Sequence, residues 1–123
     1  MTHARQALGL EGETRACRAL EARGYRVLAR RYRTRAGELD IVARHDGVIV
    51  FVEVKTRRGG AFGDPAAAVT VQKQRRLAAM AGDFLARHRW FDQPVRFDVV
   101  TICCSQDGPP EVRVIRDAFR PGW

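Results

Sequence analysis

The sequence predicts a mixed α/β domain in which helices cover a central sheet. Three observations carry that expectation. Apolar positions recur at helical spacing in two segments, β-rich runs lie between and after them, and Asp46-Gly47 gives a tight hairpin signal between two of those runs. With 123 residues and 46% hydrophobic content, residues 1–123 are expected to form one domain around a single modest core.

The first helix is expected from about Ala4 to Ala22, weakened early by Gly9 and Gly12 and stopped at Gly24. YRVLARRY then reads as a first strand, RTRAG as a basic turn and ELDIVAR, by its alternation, as a second strand. Asp46 and Gly47 both tolerate positive φ, so a two-residue turn leads into VIVFVEVK, the third strand. TRRGGAFGDPAAA has the glycines and turn residues of a loop, and Thr70 can cap a second helix from about Val71 to His88. Leu77, Met80, Ala81, Phe84 and Leu85 share one face of that helix. After Pro94, VRFDVVTI and the shorter EVRVIR form a fourth and a fifth strand, joined by the polar CCSQDGPP.

Net charge narrows the class of partner. A formal charge of +8 and a pI of about 10.6 attract polyanions, so nucleic acid is the first partner to test; a basic surface that only confers solubility is the alternative. Of the 22 cationic residues, only Lys55 and Lys73 are lysine, and arginine cannot imitate a compact ammonium at a crowded site. Cys17, Cys103 and Cys104 are odd in number and lack CxxC spacing, which fits free thiols. The chain shows no signal-peptide apolar region and no apolar run of membrane-spanning length, so a cytoplasmic protein with no membrane partner is expected. HExxH, GxSxG, P-loop and strand-linked GxGxxG motifs are absent.

The hairpin supplies the chemistry. With Asp46-Gly47 at the turn, His45 pairs with Val48, and the same register sets Asp40 opposite Glu53 and Glu38 opposite Lys55. Opposed like charges destabilise a sheet, so something must offset them. One reading is a solvated surface cluster with a weak Glu38–Lys55 salt bridge. The other is that Asp40 and Glu53 converge on Mg²⁺ (or Mn²⁺), a hard cation that takes carboxylate oxygens and bridges to phosphates. Lys55, on the face of Glu53, would orient the nucleophile or neutralise developing negative charge, and the set would hydrolyse phosphodiesters. The third strand is almost wholly apolar up to Val52, so charges at its end mark a site.

Glu13 shares a helical face with Ala16, Cys17 and Leu20; it is either a helix-end carboxylate near solvent or a support for the metal. Lys73 heads the apolar face of the second helix and either contacts the site or nucleic acid, or snorkels to solvent. Arg33, Arg35, Arg57, Arg58, Arg75 and Arg76 crowd the same end and suggest a phosphate track. A protein-interaction role is a third class, with Trp123 of the FRPGW tail as an aromatic anchor.

Asp40 followed by Glu53-Val54-Lys55 resembles the PD-(D/E)xK signature of restriction-endonuclease-like nucleases, with Leu39 where proline usually stands. The wider set of GETRA, GELDIVA, VFVEVK, FGDP, the helix carrying Lys73, RFDVV and the closing AF resembles the YraN-type family of uncharacterised bacterial proteins over nearly the whole chain. That resemblance implies a restriction-endonuclease-like fold, similar in its core to archaeal Holliday junction resolvases, which are homodimeric and metal-dependent. It implies Glu13, Asp40, Glu53 and Lys55 as active residues and DNA, branched or otherwise structured, as substrate. The family favours asparagine where this chain has Arg31. A nucleic-acid-binding module with the same fold and no catalysis is the alternative function.

Overall fold

The computed structural model describes residues 2–58, 69–105 and 107–122, with side chains from residue 11 onward. The expected FGDP loop and Trp123 therefore lie outside the described residues. The elements are α1 (Thr2–Ala22), β1 (Arg26–Thr34), β2 (Gly37–His45), β3 (Val48–Arg58), α2 (Val71–His88), β4 (Val95–Cys104) and β5 (Glu111–Ile115). They follow the expected order, and Gly9 and Gly12 do not interrupt α1. Among the described residues, no helix is long and apolar enough to cross a membrane.

The five strands lie in sequence order across one sheet. All neighbours are antiparallel except β3 and β4, which run parallel with α2 in the crossover between them. The two faces of the sheet bury different helices. Ala16, Cys17 and Leu20 of α1 pack on Ile41, Ala43, Val50, Val52, Val100 and Ile102, whereas α2 packs through Leu77, Met80, Ala81, Phe84 and Leu85 on Val42, Ile49, Phe51, Phe97 and Val99. This is the mixed central sheet flanked by helices of the restriction-endonuclease-like fold.

Helix ends follow local chemistry. Thr70 accepts the backbone N–H of Lys73 at 3.2 Å and caps α2. Gly24 (φ 88°) closes α1, with the N–H of Tyr25 donated to Leu20 O at 3.0 Å and that of Gly24 to Glu21 O at 3.0 Å. At the far end of the sheet, buried Asp98 accepts from Tyr25 Oη (2.6 Å), Arg96 Nε (2.8 Å) and the backbone N–H of Asp117 (3.0 Å). This satisfied network fastens β4 to the end of α1 and to the segment after β5.

Two deviations from regular geometry shape the near end. Gly12 lets α1 approach β3 closely: a Cβ there would stand 2.5 Å from Thr56 Oγ1. At Arg31 and Asp40 the alternation of β1 and β2 slips by one residue. Ile41 faces α1, yet Leu39, two residues away, is buried in the α2-side core, and Tyr32 across from Leu39 packs there too. Arg31 absorbs the slip with φ 53°, a left-handed value uncommon outside glycine and asparagine. The tip of the hairpin turns toward α2, so that a Cβ on Gly37 would lie 3.3 Å from Met80 Sδ.

Gly12→Ala is expected to destabilise the protein despite gaining about 1 kcal/mol of helix propensity, because overpacking costs roughly 1–3 kcal/mol. Adding Thr56→Ala should remove the clash and leave the double variant more stable than Gly12→Ala alone, as read from denaturant midpoints.

Candidate functional site

The register of the β2–β3 hairpin runs as expected from His45↔Val48 to Ile41↔Val52, and there it stops. Strand β3 continues alongside β4 as far as Arg58↔Cys104, while β2 swings away with β1. A fork opens between two strands that would otherwise exchange hydrogen bonds. Asp40 sits in its crotch, and its Oδ2 accepts the backbone N–H of Val54 at 2.8 Å. A side-chain carboxylate thus takes the place of a main-chain carbonyl in the ladder.

Glu53, one residue past the last paired position, projects on the α2 side, as alternation from Phe51 requires. It is only 8% exposed, and its Oε1 lies 2.5 Å from Lys73 Nζ on the first turn of α2. Lys55 follows on the same face of β3, half-buried, and makes no hydrogen bond or ion pair with the described residues. Glu13 enters from α1, immediately after the close approach at Gly12. It too is 8% exposed, with Oε2 3.4 Å from Arg31 Nε and Oε1 buried without a hydrogen-bond partner among the described residues.

Charge and burial oppose each other here. Burial, then the neighbouring Glu53 carboxylate, pushes the Asp40 carboxyl up to about 7, against the pull of the Val54 N–H; the Glu13 charge adds to the rise and Lys73 resists it. Burial also raises Glu13, while Arg31 and Arg30 act in the opposite direction. Asp40 therefore senses both Glu53 and Glu13 across the fork. Among the described residues, Glu53 and Glu13 each have a side-chain cation, whereas Asp40 has only the backbone donor.

The expected Glu38–Lys55 pair does not form. Beyond Ile41 the two strands have parted, and Glu38 turns to Arg33 (3.5 Å) and Arg31 (3.7 Å) on its own hairpin. Arg31 thus touches two acids, a role its position in the sequence did not signal. An arginine in a left-handed conformation leaves no pattern to read. The expected phosphate-track residues surround the fork: Arg33 and Arg35 lie at the exposed hairpin tip, and Arg75 and Arg76 are exposed on α2. Arg76 Cδ comes within 3.8 Å of a Cβ position on Gly37, so helix and tip are adjacent. Arg57 and Arg58 end β3, and Arg57 Nε is buried without a hydrogen-bond partner among the described residues.

Among the described residues, no group of three or more His, Cys, Asp or Glu side chains is disposed to hold a metal ion. Asp40 and Glu53 offer a two-carboxylate donor set in which only Glu53 has a side-chain cation among the described residues, and two carboxylates suit a cation that keeps most of its water.

Residues 12–102 match the model of Uncharacterised protein family UPF0102. A UPF0102 protein of Symbiobacterium thermophilum is 50% identical over 112 residues, covering 91% of this chain and 95% of the relative. Another, of Roseiflexus castenholzii, is 55% identical over 103 residues and covers 83% of each chain. A third, of Geobacter sulfurreducens, is 42% identical over 118 residues, covering 96% of this chain and 92% of the relative.

The raised carboxyl of Asp40 fixes the sign of a pH effect. Between its ordinary value of 3.8 and about 7, the folded protein holds a proton that the unfolded chain has released, so this stability is complete below 3.8 and is lost as pH rises through 7. In chelator, the wild-type protein is expected to lose roughly 2–4 kcal/mol more than Asp40→Asn between pH 5 and pH 8.5. Asparagine keeps the acceptor for Val54 without the charge. Urea unfolding of both proteins at the two pH values measures the difference.

Proposed function

Because this chain belongs to the UPF0102 family, the YraN-type family that its motifs resemble, and because two buried carboxylates converge at the β2–β3 fork, we propose that it is a metal-dependent nuclease that hydrolyses DNA phosphodiester bonds. The observation that carries this reading is Asp40. It is a largely buried acid beside Glu53, ionised only at a cost, and among the described residues it has no cation of its own. A fold keeps such a group where something else neutralises it.

Asp40 and Glu53 would hold the ion, Mg²⁺ or Mn²⁺. Bound there, it would offset their charge, lower the pKa of a water, polarise the scissile phosphate and stabilise the departing oxygen. The chain's own residues supply the rest. Val54 holds one Asp40 oxygen at 2.8 Å and so aims the other. Lys55, on the face of Glu53, would orient a nucleophile or balance negative charge that develops on the phosphate. Glu13 presents a buried, unpartnered Oε1 that can accept a hydrogen bond from a water or substrate group at the fork. Arg33, Arg35, Arg58, Arg75 and Arg76 offer phosphate contacts on both sides of the opening.

Cleavage of branched, flapped and single-stranded DNA under Mg²⁺ or Mn²⁺ titration tests the reading. Activity is expected on at least one substrate, falling by at least about 10²-fold in Asp40→Ala, Glu53→Ala and Lys55→Ala. Binding that survives on all three without cleavage, indifferent to Asp40→Ala, would identify a non-catalytic nucleic-acid-binding module.

A further inference from the structure

The chain spends arginine nearly everywhere it needs a cation: of 22 Lys and Arg residues only Lys55 and Lys73 are lysine. The fold sets both beside the fork: Lys55 lies two residues beyond Glu53 on the same face of β3, and Lys73 Nζ lies 2.5 Å from Glu53 Oε1. In a sequence with so strong a bias, a lysine in place of an arginine as the partner of Glu53 points to a requirement that a guanidinium does not meet.

Mobility is one such requirement. Arginine binds carboxylate through a planar fork, whereas lysine carries a point charge on a flexible four-carbon stem. The backbone of Lys73 is fixed, because its N–H is donated to the capping Thr70. Its side chain is not enclosed: it is 33% exposed, while the Glu53 side chain beneath it is 10% exposed. The ammonium is therefore seated at the lip of the fork, with solvent on one side and a buried acid on the other. The same first turns of α2 carry exposed Arg75 and Arg76, so a side chain that let go of Glu53 would swing into a surface already favourable to phosphate.

Lys73 also occupies the carboxylate that the proposed function needs for a divalent cation. The two positive charges cannot share that oxygen at ion-pair distance without repulsion. We propose that Lys73 is an exchangeable counter-ion: it neutralises Glu53 in the resting protein, gives that carboxylate up to the divalent cation, and then contacts a backbone phosphate of the nucleic acid beside the site. The inference rests on the metal-site reading above and adds to it a coupling. Occupation of Glu53 frees the cation that the phosphate requires, and by reciprocity a bound phosphate favours occupation.

Calorimetry of Mn²⁺ uptake by the full chain, without nucleic acid, reads the first half. Lys73→Met, which keeps length and helix propensity, is expected to bind Mn²⁺ about three- to tenfold more tightly than wild type, since a half-buried ion pair no longer competes. Lys73→Arg, with a firmer hold on Glu53, should bind it more weakly than wild type. Anisotropy with a labelled DNA duplex, checked intact on a gel, reads the second half. Mn²⁺ should strengthen wild-type binding, and the ratio of affinity with Mn²⁺ to affinity in chelator should fall most of the way to one in Lys73→Met. Uptake that Asp40→Asn abolishes but that neither Lys73 variant changes would overturn the exchange and leave the metal site standing. No uptake by the wild type would overturn both.

Discussion

The parting of β2 from β3 after Ile41 and Val52 is the constraint on which the near end of this molecule depends. Up to that point the hairpin is an ordinary antiparallel ladder in continuous register. Past it, the Val54 N–H would be left facing a gap, and a buried unpaired amide costs about 1–3 kcal/mol. The Asp40 carboxylate meets that need. The same bond that repairs the ladder draws an acid into a desolvated position next to Glu53. Structural necessity and chemical potential thus share one side chain.

Other departures from regularity support the fork. Arg31 takes a left-handed conformation so that β1 and β2 can slip together, and the slip turns Leu39 and Tyr32 into the α2-side core while its guanidinium reaches Glu13 and Glu38. Gly12 removes the Cβ that would hold α1 away from β3, and the next residue, Glu13, thereby reaches the opening. At the opposite end the Asp98 network locks β4 to the end of α1 and to the segment after β5. The resulting electrostatic pattern is uneven: two acids are matched by cations on neighbouring elements, and the third is left to burial and a single amide.

Much of this was legible in advance where one residue type can satisfy a local rule. Asp46-Gly47 has positive φ at both positions, 51° and 78°, as the turn chemistry demanded, and the register it sets brings Asp40 to the threshold of Glu53. Thr70 caps α2 at the expected place, and Glu13 lies on the buried face shared by Ala16, Cys17 and Leu20. The Glu38–Lys55 pair failed for a reason that register arithmetic does not contain. It assumes that two strands stay together, and whether they do is settled by what packs above and below them.

The sequence by itself determined the order of elements, the hairpin register, the faces of both helices and the family of the chain, because each follows from residue periodicity, turn chemistry or motif. Only the tertiary structure decided where the ladder ends, which cation meets which acid, and that Arg31, Lys73 and the Val54 amide belong with the carboxylates. Those outcomes depend on desolvation and on distances between segments far apart in the chain, such as Lys73 and Glu53. No local pattern encodes a distance of that kind; packing of α1 and α2 on opposite faces of one sheet sets it.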